Sequence, residues 1–152
     1  MRFENHKNKV HHILAHSYSF FLIFLLLGIF FHILFPVKIF TDTDMAYWGL
    51  AFLILATGLI FWAQRTSRHL KVEHLTKDNF MRGPYAFTRS PTHYGLFFLV
   101  LGFGLIANSF FIALFAVIAF FVTKFFSIKK QEAALFLKYG APYLEYTKIV
   151  RF

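Results

Sequence analysis

Residues 17–35 read SYSFFLIFLLLGIFFHILF, nineteen positions without a charged side chain. At 1.5 Å of rise per residue a helix of that length reaches about 28 Å, enough for the roughly 30 Å hydrocarbon core of a bilayer. The run is too uniformly apolar to carry a readable period. Its length and medium decide instead: in hydrocarbon an isolated segment satisfies its own backbone only as a helix. Pro36 closes the run, because it has no N–H to continue the ladder. Three further apolar runs follow at 45–63, 94–107 and 110–126. The third is short, about 21 Å, and only Asn108-Ser109 separates it from the fourth. These two are expected to form a tight helical hairpin with one shallow or buried arm. The chain is 58% hydrophobic and 15% charged, whereas soluble domains carry roughly a quarter charged residues. The expectation is an all-α integral membrane protein with about four transmembrane helices, forming one domain over residues 1–152.

A signal peptide would explain a basic start followed by an apolar run. This run is long, and Phe35-Pro36-Val37-Lys38 offers no small-residue cleavage site, so it reads as a retained helix. The formal net charge of +9 would suggest nucleic acid in a soluble protein. Here the basic residues flank apolar runs, which suits membrane orientation and anionic head groups, so no nucleic-acid partner is expected. Arg2, Lys7 and Lys9 precede the first run. Arg65, Arg68, Lys71, Lys77, Arg82 and Arg89 lie between the second and third. Lys124, Lys129, Lys130, Lys138, Lys148 and Arg151 close or follow the fourth. With four spans these regions share one side, leaving Lys38 opposite, beside Asp42 and Asp44. The N-terminus, the middle loop and the C-terminus are therefore expected in the cytoplasm. The minimal chain, without a eukaryotic sorting motif, suggests a bacterial inner membrane. Zero cysteines exclude disulfides, thiolate metal sites and cysteine nucleophiles.

The middle loop ends in residues 83–95, GPYAFTRSPTHYG. Gly83-Pro84-Tyr85 predicts a turn. Ser90 is expected as an N-cap, with Pro91 in the first turn of the third helix. Free N–H groups there suit a carboxylate or phosphate, reinforced by Arg89. The plain alternative is a capped turn with a snorkelling arginine. The tail, 129–152, reads KKQEAALFLKYGAPYLEYTKIVRF. Helix formers fill 131–139, Gly140 suits a helix end, and Pro142 follows. Tyr143, Tyr146 and Val150 recur at spacings of three and four, so two short amphipathic pieces on the membrane face are expected. Glu132 is one of seven acidic residues, and its plain role is a surface pair with Lys129 or Lys130.

The histidines raise a metal or haem reading. His12 and His16 have i, i+4 spacing, with His6 and His11 near, but no cysteine and only Glu4 close by. His32 sits inside the first run, where a structural hydrogen bond competes with haem ligation. No metal site is expected. No P-loop, dinucleotide fingerprint or H-E-x-x-H motif occurs.

Together, GPYAFTRSPTHYG and QEAALFLKYGAPYLEYTKIVR resemble the loop and tail motifs of the isoprenylcysteine carboxyl methyltransferase family and its phospholipid methyltransferase-like relatives. The resemblance covers roughly residues 48–151. It implies an S-adenosylmethionine-dependent membrane methyltransferase. The acceptor would be lipophilic or membrane-associated, methylated as a carboxylate or a lipid amine. The cofactor would sit on the cytoplasmic side between the loop (77–93) and the tail. By position Asn79, Phe80, Tyr85, Ser90, Pro91 and Thr92 would line it. His93, Gln131 and Glu132 would complete that lining, and Arg89 and His93 are the catalytic candidates. Four positions depart from the family pattern: Ser90 replaces His or Asn, His93 replaces Tyr, Gln131 replaces the first acid, and Ser127 replaces a substrate-contacting arginine, with Lys124 and Lys129 the nearest basic side chains. A carboxylate acceptor needs no base; an amine or hydroxyl would use His93. The alternatives are a non-catalytic membrane scaffold that keeps this fold, and a haem- or metal-binding membrane protein.

Overall fold

The computed structural model describes residues 2–41, 46–67 and 76–150, with side chains described from Tyr18 onward except at 77, 79, 127, 128 and 138. Within them the chain is helical, with no strand. Helix α1 spans Arg2–Leu34, α2 Ala46–Ser67 and α3 Lys77–Phe80. A single 3-10 turn, Gly83–Ala86, leads into α4, Pro91–Ile106. Then come α5, Phe110–Thr123, a π-helical segment, Lys124–Ile128, α6, Lys129–Tyr139, and α7, Ala141–Ile149. Two helices are long and apolar enough to cross a membrane: Ala46–Ser67 and the continuous helix Phe110–Leu137. Tyr18–Leu34 and Pro91–Ile106 are apolar but shorter.

Three boundaries differ from the sequence reading. The basic N-terminal segment is not a separate tail; α1 is helical from Arg2, and its 33 residues reach about 50 Å. Nothing in residues 2–16 breaks a helix, since they contain neither Gly nor Pro. The second helix runs to Ser67 rather than stopping at 63, while the third begins at Pro91, the residue expected in its first turn. The fourth does not stop at 126: helix continues through the π-helical segment and α6 to Tyr139. Lys124–Ile128 lacks a breaker, so polarity alone does not end the ladder there. Met45, where the second run was expected to start, lies outside the described residues.

Close packing is made by small residues. A Cβ on Gly49 would lie 2.7 Å from the carbonyl oxygen of Gly102, and one on Gly102 2.9 Å from that of Gly49. These two glycines let the backbones of α2 and α4 touch, and Phe52 stacks on Phe98 beside them with centroids 5.5 Å apart. On the other side α1 packs along α5, where Phe31 meets Phe111 and Phe115. The helices thus run α2, α4, α5, α1 across the bundle, and among the described residues α1 packs mainly on α5. Phe21, Val100, Ile112, Ala116 and Ala119 form the core. The outward faces remain apolar and open: Ile33, Ile54 and Phe61 are 74, 67 and 64% exposed.

The α4–α5 connection is fixed from outside. Asn108 adopts φ 48°, and its side-chain oxygen accepts from the backbone N–H groups of Ile39 and Phe40, both at 3.0 Å. Its amide donates to the Phe40 carbonyl at 2.9 Å. Ser109 caps α5 by accepting from the Ile112 N–H. The opposite end of the bundle gathers the polar residues of interest.

Candidate functional site

At that end the ends of α2 and α4 meet the 3-10 turn, α6 and α7 around a cavity of about 270 Å³. The loop before α4 is shaped by Gly83, at φ 59°, a left-handed value that glycine adopts without a Cβ penalty. A Cβ there would also meet the Thr66 hydroxyl at 2.7 Å. The buried Pro84 carbonyl then accepts from the N–H groups of Phe87 and Thr88, closing the turn. Pro91 occupies the first turn of α4. Ser90 holds the N-cap position, but its hydroxyl makes no cap hydrogen bond, contrary to expectation. With ψ at 58° rather than in the extended range of a standard N-cap, its side chain is not aimed back at the helix. The α4 N-terminus therefore has no side-chain cap; Pro91 lacks an N–H and the His93 N–H bonds the Ser90 carbonyl at 3.0 Å, which leaves the Thr92 N–H open.

Arg89 ties the loop to the tail. Its guanidinium donates to Glu132 Oε1 at 2.5 Å, to the Thr147 carbonyl at 2.8 Å and to the Val150 carbonyl at 2.5 Å. Glu132 is thus paired with Arg89, not with Lys129 or Lys130. The pair lies partly out of water, 17 and 31% exposed, where three charge-assisted bonds hold better than a surface contact. Tyr146 adds a fourth link, its hydroxyl donating to the Tyr85 carbonyl at 2.7 Å. Behind these, Phe80 packs on Tyr139, Tyr143 and Tyr146, with Val150 in the same cluster.

Among the nominated residues, Phe80, Tyr85, Arg89, Ser90, Pro91, Thr92, His93 and Gln131 line the cavity. Glu132 does not; it lies behind Arg89. The side chain of Asn79 is outside the described residues, as are those of Ser127 and of His6, His11, His12 and His16. The sequence reading missed Tyr18, Gln64, Ser67, Tyr139, Tyr143 and Tyr146 as lining. Gln64 and Ser67 carried one signal, polar side chains at the edge of an apolar run. The spacing of Tyr143 and Tyr146 marked a buried face but not what it faces.

The lining is mainly apolar and aromatic. Its one charged side chain among the described residues is Arg89, answered by Glu132. Burial pushes the Tyr85 phenol up, with the hydroxyls of Ser67 and Thr92 pulling the other way. Burial, then the Glu132 charge, pushes Tyr143 up to about 12; burial likewise raises Tyr146. All three phenols therefore stay protonated at neutral pH and offer neutral O–H groups and electron-rich faces. No group of three metal-ligating side chains converges among the described residues. No protein-family model, curated protein or solved structure matches this chain.

Proposed function

We propose that the chain is an S-adenosylmethionine-dependent membrane methyltransferase acting on a lipophilic or membrane-associated acceptor. The observation that carries the reading is the meeting of residues 83–95 and 131–150, two segments far apart in sequence, around one cavity fastened by Arg89. The lining suits a zwitterion that also bears a sulfonium. The uncapped start of α4, with the Ser90 hydroxyl, fits the amino-acid carboxylate. The faces of Tyr85, Tyr139 and Tyr143 fit a cation that needs no counter-ion, as aromatic cages hold quaternary ammonium groups. Gln131 offers an amide for ribose or amine. When bound, the cofactor supplies a methyl group already activated by positive sulfur.

The chain's own residues would then orient, exclude water and move a proton. Arg89 acts as a positioning residue, because its hydrogen bonds go to Glu132, Thr147 and Val150. His93 lies at the cavity wall and is the group available for proton transfer. The same reading takes the apolar outer faces as lipid-facing, with four spans and both termini cytoplasmic in a bacterial inner membrane. Under it α6 and α7 form the cytoplasmic tail.

Titration calorimetry with S-adenosylhomocysteine tests the reading. One saturable site is expected, weakened about tenfold by Gln131→Ala and by Tyr85→Ala, the scale of one lost hydrogen bond or one lost cation–π contact. Folded protein that takes up no ligand in two different detergents would sink it.

A further inference from the structure

His93 is the third residue of α4 and only 6% exposed. Its ring meets Phe21 edge-on at 5.2 Å and Phe120 at 5.4 Å. Nε2 lies 2.9 Å from the Thr123 hydroxyl and 3.4 Å from the Phe120 carbonyl. Thr123 has one hydroxyl hydrogen, and it points at the carbonyls of Ala119 and Phe120 in the preceding turn. Both oxygens facing Nε2 are therefore acceptors, so Nε2 carries the ring hydrogen. In a neutral imidazole the lone pair then sits on Nδ1. Nδ1 makes no hydrogen bond among the described residues, yet it is not sealed in, and the open side of His93 is the cavity. Among the described residues no carboxylate lines that cavity.

We propose that Nδ1 of His93 is the proton acceptor of the transfer, and that the methyl acceptor is an ionisable hydroxyl, a phenol or enol, on an apolar molecule. The inference rests on the methyl-transfer reading above. A base helps when its own acidity lies between that of the acceptor before and after attack. A phenol titrates near 10 and its O-methylated oxonium is a strong acid, so an imidazole lies between them. A neutral amine keeps its proton until attack is over, and its product ammonium is a weaker acid than imidazolium; a base gains nothing there. A carboxylate has no proton to lose. In the step, the hydroxyl oxygen forms the new C–O bond to the methyl carbon. The carbon–sulfur bond breaks and its electron pair stays on sulfur. The hydroxyl proton passes to Nδ1 and then to water. The methyl ether leaves neutral.

Three matched probes test the acceptor with methyl-labelled cofactor and the full chain in proteoliposomes: 4-decylphenol, decylamine and decanoic acid. Label is expected in the phenol ether. Faster labelling of the amine or the acid overturns the proposal, as does no labelling of the phenol by protein that binds S-adenosylhomocysteine. Protein that fails to bind it brings down the methyl-transfer reading first and this one with it. His93→Gln is expected to slow 4-decylphenol about 100-fold. On 4-decyl-2-nitrophenol, whose hydroxyl is already ionised at pH 8, the loss should shrink to less than tenfold. Equal losses on both phenols would make His93 a positioning residue and overturn the base. Nitrogen NMR of the histidine-labelled wild type gives a readout free of activity. The signal lost in His93→Gln must show hydrogen on Nε2, and hydrogen on Nδ1 of the neutral ring overturns the assignment. Should that variant not fold, Thr123→Val supplies the check: removing the acceptor must shift the same signal.

Discussion

Arg89 joins a loop to a tail 43 to 61 residues further along the chain. Lysine cannot replace it, because a point charge on a flexible stem does not reach three acceptors from one plane. Arg89→Lys is expected to cost on the order of 2 kcal/mol, the worth of a charge-assisted bond with its partner left behind. The check is a lowered unfolding midpoint in detergent together with faster proteolysis within α7. Tyr143 makes a pH prediction with a definite sign. Its phenol titrates near 12 when folded and at the ordinary 10.0 when not, so the unfolded chain ionises first. That contribution is intact below about pH 10 and is lost as pH rises toward 12. The unfolding midpoint should hold to about pH 9.5 and then fall, less steeply in Tyr143→Phe; a fall already complete by pH 9 would contradict the assignment. The arginine's presence beside a helix start was legible from residues 83–95. Its partners were not: Glu132 stands next to two lysines in sequence, and only folding brings Arg89 closer than they are.

At the scale of elements, the α2–α4 interface depends on two glycines in backbone contact. Gly102→Val should force these helices apart and cost roughly 1–3 kcal/mol or more by overpacking. Gly58, with nothing within 4 Å of a built Cβ, is the matched control on the same helix pair's outer face. Gly58→Ala should be neutral or stabilising by up to about 1 kcal/mol, since alanine is the better helix former. Thermal unfolding of both variants decides; equal losses would mean the interface is not where the stability lies. The run from α5 to α6 shows why helix ends were harder to read than helix existence. Residues 127–130 turn largely polar, which marks the end of an apolar run but does not break the helix. A π-helical segment inserts extra residue and shifts the following face by about 100°. No pattern of apolar residues announces that phase shift, although it sets where Gln131 and Glu132 point.

For the whole molecule, topology is open to a direct test because the chain has no cysteine of its own. Single cysteines at Phe87, 80% exposed, and at Lys148 should react from the cytoplasmic side, and one at Val37 from the other. Labelling of Phe87→Cys and Val37→Cys from the same side would reject the four-span arrangement. The sequence by itself determined that the chain is helical, roughly where its apolar runs lie, and which two segments carry unusual side chains. Those follow from local causes: helix is the only self-sufficient backbone in hydrocarbon, Pro36 and Gly83 act where they stand, and charge is counted residue by residue. The tertiary structure alone decided that Arg89 takes Glu132, that Glu132 stands behind the cavity while Tyr18, Gln64 and Ser67 enter it, and that Thr123 holds one nitrogen of His93 and leaves the other open. Each of these depends on how the elements cross: two glycines set how closely α2 approaches α4, and the π-helical segment sets the phase of α6.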